Sequence, residues 1–299
     1  MRTLTLLLFS GQLAFLSSDA EKPVSDYNQP GTSLFVQSAG QVLSREYGNC
    51  HGSSAAPASE GCSQSDRTSF LALDAHTGAV IASRWENPEK PIPLGALVKP
   101  FTAPAYGERH QFTYPTHVCR GTSTGCWLPR GHGEVDLSSA IANSCNSYFR
   151  MLTANMSVAD VSPVTSSFGL QPPAPGSSEV SLAGVGTGWL ISPLSVANAY
   201  LELIRRRDQP GVRQVLAGMA QSAWDGTGAE VDRALEHPDA LVKTGTAPCT
   251  HPKRGPGDGF VIAMLPADDP QILLMVRVHG VPGAQAAKTA GQMLRRIEE

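Results

Sequence analysis

A chain of 299 residues, 41% hydrophobic and 16% charged, can bury an ordinary core as one large domain or two small ones. Its formal net charge is −3, with neither a basic block nor an acidic tail, which argues against a nucleic-acid partner. The 29 glycines and 23 prolines show no period, which argues against repeats and collagen-like order.

The N-terminus differs in kind from the rest. Arg2 precedes the apolar run LTLLLFSGQLAFLSS, with small residues near Ala20. This pattern predicts a secretory signal over 1–20 and a periplasmic or extracellular destination, with anchoring to the membrane if the segment stays uncleaved. The run falls short of the roughly 20 apolar residues of a membrane span. A buried first helix is the rival reading. Residues 21–65, rich in Ser, Gly, Pro and Asn, read as an extended arm carrying one short element over TSLFVQSAGQVLS, and 66–299 as the main domain.

That domain opens with SFLALD and AVIASR, two apolar runs joined by AHTG, which predict a β-hairpin. A turn follows at Gly95. Helix is expected from Leu97 to about Tyr106, early or kinked because of Pro100 and Pro104. Residues 135–154 carry apolar side chains at helical spacing, with Asp136 as N-cap and a break hinted at Asn143-Ser144-Cys145-Asn146. Ser192 and Pro193 open another amphipathic helix, and 211–224 reads as a further one. The C-terminal third gives three β-type runs, ALVKTGT, GFVIAMLP and QILLMVRVHG, and then a closing helix over 283–299. One hairpin early and three strands late, with helices between, predict an α+β fold: an antiparallel sheet with helices on both faces.

Export would place the six cysteines in an oxidising setting. Cys50 and Cys62 flank one polar loop and Cys119 and Cys126 another, so 50–62 and 119–126 are the expected disulfides, although six cysteines allow 15 pairings. Metal ligation with His51 or His132 is the rival, unsupported by any CxxC or HxxxH spacing; the expectation is no metal.

Three polar signals then occur in order: Ala96-x-x-Lys99, Ser144-Cys145-Asn146, and Lys243-Thr244-Gly245 at the edge of an expected strand. Apart from Ala96, they follow the Ser-x-x-Lys, Ser-x-Asn, Lys-Thr-Gly series. With ALDAHTGAVIA, GHGEVDLSSAIANSCNSYF and GVGTGWLISPLSVANAY around them, residues 65–299 resemble the transpeptidase domain of penicillin-binding proteins. The resemblance implies a penicillin-binding-protein-like fold, acyl transfer on peptidoglycan D-Ala-D-Ala stem peptides, reaction with β-lactams, a place in cell-wall biogenesis with possible cell-wall protein partners, and no cofactor. It assigns Lys99 as the base for a nucleophile at position 96. Ser144 becomes a proton relay, and Asn146 a holder of the substrate backbone. Lys243, Thr244 and Gly245 form a strand edge that pairs with substrate, and Thr246 N–H part of an oxyanion hole.

Position 96 departs from the pattern. Alanine offers no nucleophile, so an ester at that residue is chemically impossible. The reading is a pseudoenzyme, inactive or impaired. The alternative is an active acyltransferase or hydrolase using Ser144, with Thr102 and Cys145 as further candidates. Glu179 lies in EVSLAG, with alanine where the β-lactamase pattern has asparagine, which argues against β-lactamase chemistry.

Overall fold

The computed structural model describes residues 33–48, 67–248 and 257–299. The expected signal at 1–20 and the Cys50–Cys62 pair lie outside these residues. Within the expected arm, the short element is a helix, α1 (Leu34–Leu43), started by the Ser33 side chain accepting from Val36 N–H. Val36, Ala39 and Leu43 on its inner face are buried. The hairpin follows as β1 (Thr68–Asp74) and β2 (Val80–Arg84), then a short β3 (Ile92–Pro93).

A 3-10 turn over Gly95–Val98 feeds α2 (Lys99–Arg109). Pro100 sits in the first turn, where no N–H is needed. Pro104 is accommodated inside the helix without ending it. Two short strands, β4 (His117–Cys119) and β5 (Gly133–Val135), pair antiparallel and frame a glycine-rich loop. The helix expected over 135–154 is two helices, α3 (Leu137–Ala142) and α4 (Asn146–Thr153). Asp136 caps α3 as expected, accepting from Ser139 N–H. The split falls at Ser144, whose φ of 50° is left-handed, followed by an extended Cys145.

Beyond it come α5 (Val158–Ser167), α6 (Glu179–Leu182), β6 (Leu190–Ile191), α7 (Pro193–Arg205) and α8 (Val212–Trp224). The chain closes with β7 (Leu241–Ala247), β8 (Asp258–Leu265), β9 (Ile272–His279) and α9 (Gly283–Glu298). The hairpin and the three late strands form one antiparallel sheet in the order β2-β1-β9-β8-β7.

Both faces of the sheet are covered, as the near-continuous burial of β8 and β9 requires. Alternate residues serve two separate cores. Phe70, Val242, Val261, Leu274 and Val276 meet α1 and α9 through Leu43, Ala286, Ala290 and Met293. Leu71, Phe260, Ile262 and Met275 meet the larger helical layer through Leu97, Phe101, Tyr148, Phe149 and Tyr200. This parity positions the site. Val242 points to the α1/α9 face, so its neighbour Lys243 turns to the other side, where α2 and the α3–α4 break approach.

Candidate active site

The lysines come first, because burying an ammonium is costly unless it is hydrogen-bonded. Lys99 is completely buried, one turn beyond Ala96 at the start of α2. Its Nζ donates to the Ser144 carbonyl at 2.8 Å and to Asn146 Oδ1 at 2.7 Å, and lies 3.4 Å from Ser144 Oγ. Lys243 is also completely buried. Its Nζ donates to Ser144 Oγ at 3.1 Å and to its neighbour's carbonyl, Thr244 O, at 2.7 Å. The Ser144 hydroxyl therefore stands between two lysines from opposite elements. Its left-handed backbone lets both its carbonyl and its hydroxyl serve one ammonium.

Burial pushes the Lys99 ammonium down to about 7, opposed by the negative character of Cys145 and Cys126. Lys243 is pushed well below the ordinary lysine value by burial and then by the charge of Lys99. Both shifts favour a neutral amine, which is what a base requires.

Ala96, Ser144, Asn146, Thr244, Gly245 and Thr246 line one cavity of about 160 Å³. Close backbone approach shapes it. Gly95 has φ +57°, and a Cβ there would lie 2.2 Å from Thr246 O, so β7 and the turn before α2 can touch only through glycine. Gly245 returns the contact: a Cβ there would meet Leu94 O at 2.6 Å. The Thr246 hydroxyl accepts from Gly283 N–H at 3.0 Å, tying β7 to the start of α9.

Further positions of the cleft, Thr227, Trp127 and Gly283 among them, carried no signal in the sequence motifs. Thr227 accepts from the Thr244 hydroxyl at 2.6 Å and donates to Ala142 O. Trp127, 51% exposed, forms part of the cavity wall and is held by its indole N–H donating to Asn143 O at 3.1 Å. Gly283 lines it too, as does Gly184 at the start of the GVGTGWLISPLSVANAY segment. Thr227 lies far in sequence from all three motifs. An exposed tryptophan in a polar loop was the available clue to Trp127.

The alternative nucleophiles separate cleanly. Thr102 is fully buried and its hydroxyl donates to Leu182 O at 2.7 Å, away from the cavity. Cys145 is fully buried with its sulfur 3.9 Å from that of Cys126. Ser144 alone of the three lines the cleft.

The 119–126 disulfide is corrected. Cys119, Cys126 and Cys145 are free, and their sulfurs gather with His132 within 4.8 Å of one another. The loop does clamp its two cysteines together, but around the imidazole rather than through a sulfur–sulfur bond. These four residues could hold a metal ion, which the irregular spacing of 7, 6 and 13 residues concealed.

Residues 68–299 match the family model of the penicillin-binding protein transpeptidase domain. No curated protein matches the chain. Among solved structures, it is similar to PBP2 of Pseudomonas aeruginosa in complex with WCK 5153, with 18% identity, TM-score 0.63, and coverage of 78% of this chain and 73% of that one. It is also similar to PBP2 of Helicobacter pylori in a complex with MreC, with 16% identity, TM-score 0.64, and coverage of 87% and 61%. A third is the transpeptidase domain of Burkholderia pseudomallei penicillin-binding protein 3, with 17% identity, TM-score 0.63, and coverage of 89% and 93%. At these identities the likeness speaks for the fold, and the sequence match over 68–299 for the family. This chain belongs to the penicillin-binding protein transpeptidase domain family.

Proposed function

We propose that this chain is an exported, penicillin-binding-protein-like domain of cell-wall biogenesis that holds D-Ala-D-Ala stem peptides or β-lactams in its cleft without forming an acyl-enzyme. The observation that carries this reading is the convergence of Lys99 and Lys243 on Ser144 beside a cavity lined by Ala96. Two buried lysines, a hydroxyl between them and the edge of β7 beside the cavity support it. The side chain at position 96 ends in a methyl group, so the cleft can bind and polarise a carbonyl but cannot attack it from there. Removing single members of such catalytic units lowers rates by roughly 10⁴–10⁶ and leaves binding contributions standing.

A ligand carboxylate would meet Lys243 and Thr244, and a backbone segment would pair along β7 as an added strand. Asn146 would give up its bond to Lys99 to hold the ligand's amide. Calorimetric or NMR titration with a stem-peptide mimic tests this, with Lys243→Ala as the control. Weak reversible binding that the substitution removes supports the reading. Equal affinity in the two proteins, or no binding at millimolar ligand, overturns it.

One observation favours a second reading. The Ser144 hydroxyl lies within hydrogen-bond reach of both lysines, whose neutral forms could deprotonate it. In that case labelled penicillin would attach covalently, and Ser144→Ala would abolish the label.

A further inference from the structure

Behind the cleft, four side chains from separate segments converge on one point. Cys119 ends β4, Cys126 follows the turn at Gly121–Thr124, His132 precedes β5, and Cys145 opens α4. Cys119 Sγ and Cys126 Sγ each lie 3.5 Å from His132 Nδ1, and Cys126 Sγ lies 3.9 Å from Cys145 Sγ. A tetrahedral ion with bonds of about 2.3 Å to sulfur and about 2.0–2.1 Å to nitrogen spaces its ligands about 3.8 Å apart between sulfurs and about 3.5 Å between sulfur and nitrogen. These three spacings fall within a few tenths of an ångström of those edges, and all four ligand atoms lie within 4.8 Å of one another. A disulfide needs about 2.05 Å and would leave the imidazole without a role.

His132 Nδ1, the kind of atom an imidazole offers a metal, faces two of the sulfurs at once. Tight glycine turns hold the loop in this shape: at Gly131, φ +78°, a Cβ would lie 2.2 Å from Cys119 O. Three buried thiols packed as small hydrophobes would not need a histidine turned toward two sulfurs.

We propose that Cys119, Cys126, His132 and Cys145 form a closed Cys₃His site for a thiophilic divalent ion of the zinc class, and that the ion tethers the Ser144–Asn146 loop through Cys145. All four positions of the tetrahedron are filled by protein, so the ion is structural and has no open position for substrate. Binding replaces the thiol protons, which leave to solvent, and uses neutral imidazole, so three thiolates and one dication give a net charge of −1. Cys145 lies between Ser144, in a left-handed backbone, and Asn146, which bonds Lys99. Fixing its sulfur fixes the residue that must reverse the chain there. The site stands on its own geometry and holds whether or not the cleft binds a stem peptide.

The test uses the full chain, purified reduced and without chelator. Elemental analysis is expected to find about one zinc per chain, released on titration with a mercurial thiol reagent. Replacement by Co²⁺ is expected to give thiolate-to-cobalt charge-transfer bands and the intense visible bands of a tetrahedral site. Cys126→Ser and Cys145→Ser should weaken Zn²⁺ binding by more than about 100-fold, beyond the effect of losing a supporting residue, while His237→Ala leaves it unchanged. Since ligand variants can fail to fold, hydrogen exchange of the wild type with and without Zn²⁺ provides the second measurement: residues 141–149 should gain protection with the ion. The site is overturned if fully reduced protein takes up no metal from excess Zn²⁺, if Cys145→Ser binds as tightly as wild type, or if the bound cobalt lacks sulfur bands. The tether is overturned if the ion binds and exchange over 141–149 does not change.

Discussion

Placing a hydroxyl at position 96 is the most discriminating perturbation of the cleft. Ala96 is 7% exposed and lines the cavity, so Ala96→Ser adds one oxygen toward open space and leaves the backbone contact of Gly95 with Thr246 untouched. The new hydroxyl would lie one helical turn before Lys99, which can act as base only when neutral. With its ammonium pushed down to about 7, the neutral fraction is about 9% at pH 6, about half at pH 7 and about 91% at pH 8. The acylation rate should therefore rise about tenfold between pH 6 and pH 8 and level off above. The assay is covalent attachment of a fluorescent penicillin followed over time at each pH, with the wild type as blank. Wild type should remain unlabelled if Ser144 is only a relay. A folded Ala96→Ser protein that takes no label at any of these pH values, or whose labelling rate falls with pH, would refute the assignment of Lys99 as a base.

Three further outcomes follow from the same structure. Gly95→Ala forces a side chain into a left-handed backbone and against Thr246 O; denaturant unfolding should show a loss of about 2–4 kcal/mol, and a change within about 0.5 kcal/mol, the size of an ordinary surface substitution, would contradict the close approach. Asp232 has its carboxyl pushed up to about 6 by burial, against a hydrogen bond from the Ala240 backbone; the folded state holds a proton the unfolded chain has lost, so stability falls as pH rises through about 4–6, and Asp232→Asn should raise the melting temperature at about pH 7.5 but not at about pH 4. Lys99→Met removes an amine whose folded value lies below its ordinary one. Wild-type stability should rise with pH between about 7 and 10.5 as the unfolded chain gives up the proton that the folded state has already lost, and the substitution should stabilise the fold near neutrality by about 1–3 kcal/mol, with the gap closing toward pH 10.

The sheet was legible because its strands are strongly apolar runs with turn residues between them, and the five strands fall where the early hairpin and the three late runs predicted. The lysines were legible because each sits at a fixed offset in a motif. What sequence concealed was three-dimensional closure. Thr227 joins the cleft only because the α8–β7 connection crosses Ala142. The cysteine–histidine cluster draws on two loop residues, a strand end and a helix start, with no regular interval to betray them. Ser144 was visible as a helix break. Its left-handed backbone, which turns both of its oxygens to Lys99, was not, because nothing in Asn-Ser-Cys-Asn demands it over an ordinary turn.

The energetics of the cleft bear on why it would keep its shape with alanine at position 96. Two fully buried lysines are a standing cost to the fold, because burial disfavours both charged forms and the charge of Lys99 further disfavours that of Lys243. An apolar pair of similar volume would remove that cost. The lysines contribute something an apolar pair cannot: an attraction for a carboxylate arriving in the adjoining cavity. A bound anion would draw protons back onto the amines, and its binding would offset part of the penalty that the empty cleft carries. The methyl group of Ala96 leaves that attraction intact, since neither lysine makes a hydrogen bond to position 96. On the reading proposed above, chemistry at residue 96 and recognition by Lys243 would be physically separable, because no bond links the two positions.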